Sequence, residues 1–296
     1  MRFVLGCLLC LLPLPAQDHT DFLQISDTHV ANYDGVSASL ALQRVQNAFT
    51  RSTFSAFLAG IREQPPAFVL HTGDAIDAVC FEGAAGSDVC GQIPLFQAAA
   101  AKSPVPIYLA LGNHDTERYI LSGTPPKAAG DHSISAAARR QWRAALPTFQ
   151  EGTYYAFTRS AGKTSFRFLV LDNGEPGTAG SEYGRQQLAW LNQQIASARE
   201  WVILAFHIPL AADDFSKAVK AAAARNSRVI LALAGHRHTN AVEEIDLGAR
   251  KLLQVRTASL ALNPSSYRRF RLRPDRIEIF DPGETNTIAR VLELVQ

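Results

Sequence analysis

The chain has 296 residues, of which 47% are hydrophobic and 19% charged. That length allows one large domain or two modest ones, and the composition excludes sustained disorder, which needs a more polar and more charged chain. Lys and Arg number 29 against 27 Asp and Glu, a net charge of +2, too balanced for a generic nucleic-acid or membrane-surface binder.

Arg2 precedes an apolar run from Phe3 to Leu14, and Pro15, Ala16 and Gln17 follow. A positive start, a short apolar stretch and a small residue describe a secretory signal peptide. The run is too short to span a bilayer. Residues 1–16 are read as the signal and 17–296 as the mature domain, secreted or periplasmic, with no stable membrane anchor after cleavage. Cys7 and Cys10 lie in the signal, leaving Cys80 and Cys90. In an oxidising compartment a disulfide closing that short loop is the natural reading. Two buried free thiols are the alternative.

Short apolar runs follow, each ending in a polar cluster. Phe22–Ile25 leads into Ser26-Asp27-Thr28-His29, and Ala67–Leu70 into His71-Thr72-Gly73-Asp74. Ile107–Leu111 leads into Gly112-Asn113-His114-Asp115, Trp201–Phe206 into His207-Ile208-Pro209, and Val229–Leu233 into Ala234-Gly235-His236-Arg237-His238. Continuous apolar runs of this length predict strands buried on both faces. Polar residues just beyond them gather along one sheet edge, where open α/β sheets place ligands. Phe166–Leu171 is a further buried strand.

Helical patterns lie between. Leu42, Val45 and Phe49, then Phe54, Phe57, Leu58 and Ile61, follow three-and-four spacing. Residues 186–198 and 215–225 are rich in good helix formers. The last part predicts strands at 242–245, 251–256, 267–272 and 276–280. Arg268, Arg269, Arg271, Arg273 and Arg276 alternate with Phe270 and Leu272 and predict the solvated face of a hairpin. Residues 116–143 form a long polar segment, a candidate substrate-selecting loop together with Asn32, Tyr33 and Asp34. The elements imply two packed sheets with helices outside, in one domain.

Five of the eight histidines fall in the blocks Asp27-x-His29, Gly112-Asn113-His114-Asp115, His207 and Gly235-His236-x-His238: His29, His114, His207, His236 and His238. A donor set of Asp, His and Asn without thiolate suits borderline-to-hard metal ions. Seven candidate ligands exceed one tetrahedral zinc and match two metals roughly 3.5–4 Å apart.

The ordered blocks Asp27-x-His29, Gly73-Asp74, Gly112-Asn113-His114-Asp115, His207 and Gly235-His236-x-His238 resemble the calcineurin-like metallophosphoesterase superfamily. The resemblance covers most of the mature chain. It implies a four-layer α/β/β/α sandwich of two mixed sheets with flanking helices. It implies a dinuclear centre of Fe, Mn or Zn in which Asp27, His29 and His238 hold one ion, Asn113, His207 and His236 the other, and Asp74 bridges. His114 is then the general acid and Asp115 orients it, while a metal-bridging hydroxide attacks a small phosphate mono- or diester. Purple acid phosphatases, a branch of the superfamily, carry a tyrosine ligand where Asp77 stands, which argues against that branch. Asp77 is read as supporting the ligands, and His71 as packing under the site. The alternative is a non-catalytic scaffold with this fold, whose sign would be missing ligands. None of the seven is missing. No H-E-x-x-H or G-x-S-x-G points to another hydrolase class, and no nucleic-acid partner is expected.

Overall fold

The computed structural model describes residues 18–175 and 178–295. The signal expected at 1–16 lies outside them. Among the described residues no helix is long and apolar enough to cross a membrane.

In chain order the strands are β1 (Thr20–Ile25), β2 (Phe68–Thr72), β3 (Cys80–Glu82), β4 (Asp88–Cys90), β5 (Ile107–Ala110), β6 (Arg118–Ser122), β7 (Lys127–Asp131) and β8 (Tyr155–Ala161). They continue with β9 (Thr164–Val170), β10 (Trp201–Ala205), β11 (Val229–Ala234), β12 (Ala241–Asp246), β13 (Lys251–Arg256), β14 (Arg268–Leu272), β15 (Arg276–Phe280) and β16 (Ile288–Glu293). The helices are α1 (Ala38–Gln43), α2 (Thr50–Gly60), α3 (Gln92–Ala100), α4 (Ser135–Ala145), α5 (Glu182–Ser197) and α6 (Asp214–Ala224).

One sheet runs β16-β15-β14-β1-β2-β5, the second β12-β13-β11-β10-β9-β8. In the first, the parallel strands β1, β2 and β5 form one half of the sheet with β5 at its edge; in the second, β9, β10, β11 and β13 form a parallel centre. Antiparallel neighbours complete both sheets. The two sheets pack face to face through an aromatic interior. Phe22 is the register partner of both Phe68 and Phe270, and its ring stacks on theirs at 4.9 and 4.8 Å. Phe168 of the second sheet meets Phe22 edge-on at 5.4 Å. Each such pair contributes about 0.5–1.5 kcal/mol beyond burial. The strands alternate, so Leu23, Ile25 and Val69 face the other way, into Phe54, Phe57, Phe96 and Trp142 of α2, α3 and α4. Leu169, Val202 and Leu204 face Leu191, Ile195 and Val219 of α5 and α6. This is the α/β/β/α sandwich. Near its ligand edge, Gln24 Nε2 crosses between the sheets to donate to the Ala234 carbonyl at 2.9 Å.

Three expectations are corrected. Residues 116–143 are not a loop: they hold β6, β7 and α4, and β6 and β7 belong to an accessory sheet of order β4-β3-β6-β7. Polar composition hid this because two polar residues of α4, Ser135 and Arg139, are buried with partners. Arg139 binds Asp172, and Ser135 Oγ donates to the Thr116 carbonyl at 3.1 Å. The spacing of Leu42, Val45 and Phe49 does not mark a buried face. A 3₁₀ turn at Val45–Asn47 separates α1 from α2 and breaks the helical register, so Phe54, Phe57 and Leu58 are buried while these three are exposed. The arginine-rich hairpin is solvated on one face only. Arg268 points inward with Phe270 and Leu272 and donates to the Phe280 carbonyl at 2.8 Å. Arg269 and Arg271 pair with Asp21 outside.

Cys80 and Cys90 are register partners in β3 and β4 and form a disulfide. It anchors the segment that follows Asp77.

Candidate metal centre

The C-terminal ends of β1, β2, β5, β10 and β11 bring the five polar blocks to one edge of the sandwich. Backbone bonds knit them. Asp27 N–H donates to the Gly73 carbonyl at 2.9 Å, His29 N–H to the Asp74 carbonyl at 3.0 Å, and Gly235 N–H to the His207 carbonyl at 3.0 Å. His114 N–H donates to Asp74 Oδ1 at 3.0 Å, and His236 N–H to Asp27 Oδ2 at 3.1 Å. Two glycines permit this closeness. A Cβ on Gly112 would overlap the Asp74 carboxylate, and one on Gly235 would overlap the Ser26 hydroxyl.

Among the described residues, the non-glycine positions with positive φ are Asp27 (52°), His29 (43°), Asp74 (53°), His236 (68°) and His238 (54°). All five are candidate ligands. Such backbone costs of order 1–3 kcal/mol each and persists where surrounding structure enforces it, typically at functional sites.

The donor atoms converge in two groups. Asp27 Oδ1 lies 3.1 Å from His238 Nε2, and His29 Nε2 lies 3.3 Å from His238 Nε2. In the second group Asp74 Oδ2 lies 3.0 Å from His207 Nε2, which is 3.2 Å from His236 Nδ1. Asn113 Oδ1 is 3.1 Å from His236 Nδ1. Asp74 Oδ2 also lies 3.9 Å from His29 Nε2, so one carboxylate adjoins both groups. Each trio, Asp27-His29-His238 and Asp74-His207-His236, could hold one ion, and His29, Asp74 and His114 form a third such group.

These residues fit metal ions on three grounds. Asp27 and Asp74 are buried carboxylates whose ionic neighbours are histidines alone, with no Lys or Arg partner among the described residues. Asp27 Oδ1 is buried and accepts no hydrogen bond. Buried charge of this kind is otherwise expensive. The histidine tautomers also match. His207 Nδ1–H faces the Thr72 carbonyl at 2.8 Å, which turns the Nε2 lone pair into the cluster. Burial disfavours protonated His207, yet the Asp74 carboxylate outweighs it and pushes the imidazole up to about 9. That is the signature of a pocket with excess negative charge, which a bound cation would neutralise.

The supporting residues are partly as expected. Asp77 lies beneath His29, its Oδ1 3.4 Å from His29 Nδ1. Tyr33 Oη at 2.6 Å, Asn47 Nδ2 at 2.7 Å and Arg44 complete its shell. Burial opposes its ionisation, but the neighbouring His29 imidazole and the Arg44 guanidinium prevail and hold it well below the usual carboxylate range. His71 is fully buried under the site, against Thr28 Oγ1 at 2.9 Å and the Phe96 ring. Burial lowers it to about 3.

Asp115 is a correction. It does not orient His114. Its Oδ1 accepts from Ile76 N–H at 3.1 Å and its Oδ2 from Gly112 N–H at 2.8 Å, so it braces the loop. Trp142 of α4 donates to the Asp115 carbonyl at 2.8 Å and pins the same turn. The Nδ1 of His114 instead faces the Asp77 carbonyl at 2.8 Å and Glu117 Oε1 at 3.3 Å. Glu117 is buried, and its other oxygen lies 3.3 Å from His132 Nε2. Burial and the Asp74 charge raise Glu117 to about 8.

Asn173 is a further functional residue outside the sequence reading. Its Oδ1 accepts from the backbone N–H of His207 and Ile208, both at 3.0 Å, and its Nδ2 donates to the Ile208 carbonyl at 2.8 Å. The signal was there: Asp172-Asn173-Gly174 is a polar cluster at the end of a buried strand, like the others, but without a histidine.

A four-layer sandwich with two converging Asp/His groups at its strand ends defines a metallophosphoesterase-type protein. The model of the calcineurin-like phosphoesterases matches residues 20–240, and the chain belongs to that family. Among solved structures it is similar to a dimetal phosphatase from Danio rerio, with a TM-score of 0.60 and 15% identity over 93% of this chain and 98% of that one. It is also similar to a purple acid phosphatase from yellow lupin seeds, with a TM-score of 0.59 and 15% identity over 95% of this chain. Here the chain spans 54% of the relative's length. At such identity both likenesses concern the fold. A comparison with curated protein sequences finds no match.

Proposed function

We propose that this protein is a metal-dependent hydrolase of small phosphate mono- or diesters, working outside the cytoplasm. The observation that carries the reading is Asp74, whose Oδ2 adjoins His207 on one side and His29 on the other. Asp27, His29 and His238 would hold one ion, and Asn113, His207 and His236 the second, with Asp74 shared. Two such ions, when bound, supply Lewis acidity toward a phosphoryl oxygen and a water acidified enough to react at neutral pH.

The chain itself supplies orientation and a proton. Asp77 fixes the ring of His29, and Asn173 fixes the backbone of His207. His114 donates its Nδ1–H to the Asp77 carbonyl, which leaves Nε2 facing the site, 3.8 Å from Asp74 Oδ2. A proton carried on that Nε2 is delivered to the leaving oxygen as the P–O bond breaks. Glu117 Oε1 lies 3.3 Å behind Nδ1. The N-terminal signal pattern and the Cys80–Cys90 disulfide support export to an oxidising compartment.

The test is reconstitution of the mature protein with manganese, zinc or iron, followed by assay on 4-nitrophenyl phosphate and bis(4-nitrophenyl) phosphate. Turnover of at least one is expected. Turnover of neither with any metal would favour a scaffold.

A further inference from the structure

The segment after β9, Asp172-Asn173-Gly174-Glu175, contains no candidate ligand, yet it touches the backbone of two of them. Asn173 Oδ1 accepts from the N–H groups of His207 and Ile208, both at 3.0 Å. Gly174 lies so close to the turn after β5 that a Cβ there would overlap the Gly112 carbonyl and the Asn113 nitrogen. The segment is thus wedged between the chain stretches that carry His207 and Asn113. Among the described residues, no hydrogen bond runs from it to Asp27, His29 or His238.

A buried ion pair holds this segment in place, and its cation comes from α4, outside the two main sheets. Arg139 and Asp172 are both buried. The guanidinium meets the Asp172 carboxylate in a fork, Nε to Oδ2 at 2.9 Å and Nη2 to Oδ1 at 3.2 Å. Its Nη1 donates to Glu175 Oε2 at 2.6 Å. One side chain therefore grips both ends of a four-residue segment whose two middle residues contact the ligand-bearing backbones. The guanidinium carbon stands 4.5 Å from the centre of the Tyr183 ring, and the Thr153 and Tyr183 hydroxyls donate to Asp172 Oδ2 at 2.6 and 3.1 Å. Desolvation offsets most of what a buried ion pair contributes to stability. What a forked arginine adds is fixed geometry.

Resting on the reading of this site as a two-ion centre, we infer that Arg139 is a positioning residue for the ion held by Asn113, His207 and His236. It acts through the Asp172–Glu175 segment. The ion held by Asp27, His29 and His238 does not depend on it, since that group is backed by Asp77 instead. The helix α4 thereby sets the geometry of one metal position and not the other.

Metal retention tests this without relying on turnover. Load the unaltered protein and Arg139→Lys with manganese, dialyse against graded chelator, and count ions per chain by elemental analysis. Lysine keeps Asp172 paired with a charge but loses the fork. Arg139→Lys should bind one of the two ions about tenfold more weakly, so that it retains one ion where the unaltered protein retains two. Two further pairs identify which ion is lost. His29→Ala/Arg139→Lys should retain fewer ions than His29→Ala, whereas His207→Ala/Arg139→Lys should match His207→Ala. A merely structural role would lower retention in both pairs. Glu175→Gln, which leaves the buried pair intact, should shift retention in the same direction more weakly and keeps the test decisive if Arg139→Lys does not fold. Undiminished retention in the folded variants, or a further loss on the His207→Ala background, would overturn the inference. Assay of 4-nitrophenyl phosphate alongside separates the two readings: turnover with unchanged retention removes only the role of Arg139, while selective loss of one ion without turnover in the unaltered protein removes only the hydrolase.

Discussion

Asp77 sits directly behind His29, its carboxylate 3.4 Å from the ring nitrogen that points away from the donor cluster. A ligand histidine backed by a carboxylate is oriented and made more basic, and loss of such a partner costs 10–100-fold in metal affinity. Asp77→Asn should therefore weaken metal retention in the Asp27-His29-His238 group by about that factor. Competition against a chelator of known affinity measures it. Unchanged retention in a folded variant would mean that Asp77 only ties down Arg44 and Asn47.

Asp74 and His29 should differ in kind. Asp74 adjoins both donor groups, whereas His29 Nε2 is closest to His238. Elemental analysis of Asp74→Asn should show loss of both metals, and of His29→Ala mainly one. Full occupancy of both positions in Asp74→Asn would remove the shared-ligand assignment.

His114 should matter in proportion to how badly the leaving group needs a proton. General-acid help is worth about 10²–10⁴ in rate. His114→Ala should lose that much kcat on an alkyl phosphate and far less on a nitrophenyl ester, with metal content intact. Glu117→Gln should change kcat little at neutral pH, because Glu117, raised to about 8, is already uncharged there. Asp115→Asn should not follow it. Its carboxylate accepts two buried backbone N–H groups, so its loss should appear as about 1–3 kcal/mol of stability in chemical denaturation. Equal losses of kcat for good and poor leaving groups in His114→Ala would reassign the residue to charge stabilisation.

His71 makes stability depend on pH. Its imidazole is lowered from 6.5 to about 3 by burial. Thr28 Oγ1 gives its proton to the Ala75 carbonyl at 2.8 Å, so His71 Nε2–H donates to Thr28 and the ring is neutral. For a histidine depressed in the folded state, the unfolded chain gains a proton first as pH falls. The contribution is complete above pH 6.5 and is lost between 6.5 and about 3, at roughly 1.4 kcal/mol per pH unit. His71→Gln, which keeps a donor toward Thr28, should show a shallower fall in denaturation midpoint from pH 6.5 to 4. Parallel curves would sink this account.

Two packed sheets with outer helices and the candidate ligand blocks were legible in local signals, while the four-layer sandwich followed from the family resemblance. A strand buried on both faces must be continuously apolar, so Phe22–Ile25, Trp201–Phe206 and Val229–Leu233 announce themselves, and the polar residues after them fall at one edge. Shared chemistry of Asp, His and Asn then names the candidate donors. Tertiary structure alone decided which neighbours serve them. Asp115 and Glu117 are both acids beside His114 in sequence. Only the packing of β2 and α4 around the turn sends the Asp115 oxygens to Ile76 and Gly112 and leaves Glu117 facing the imidazole. Likewise the three-and-four spacing through Leu42, Val45 and Phe49 is common to a buried and an exposed face, and the 3₁₀ turn before Phe49 made it the latter. Residues far apart in the chain meet at distances that periodicity does not encode, and it is those distances that separate a ligand from its support.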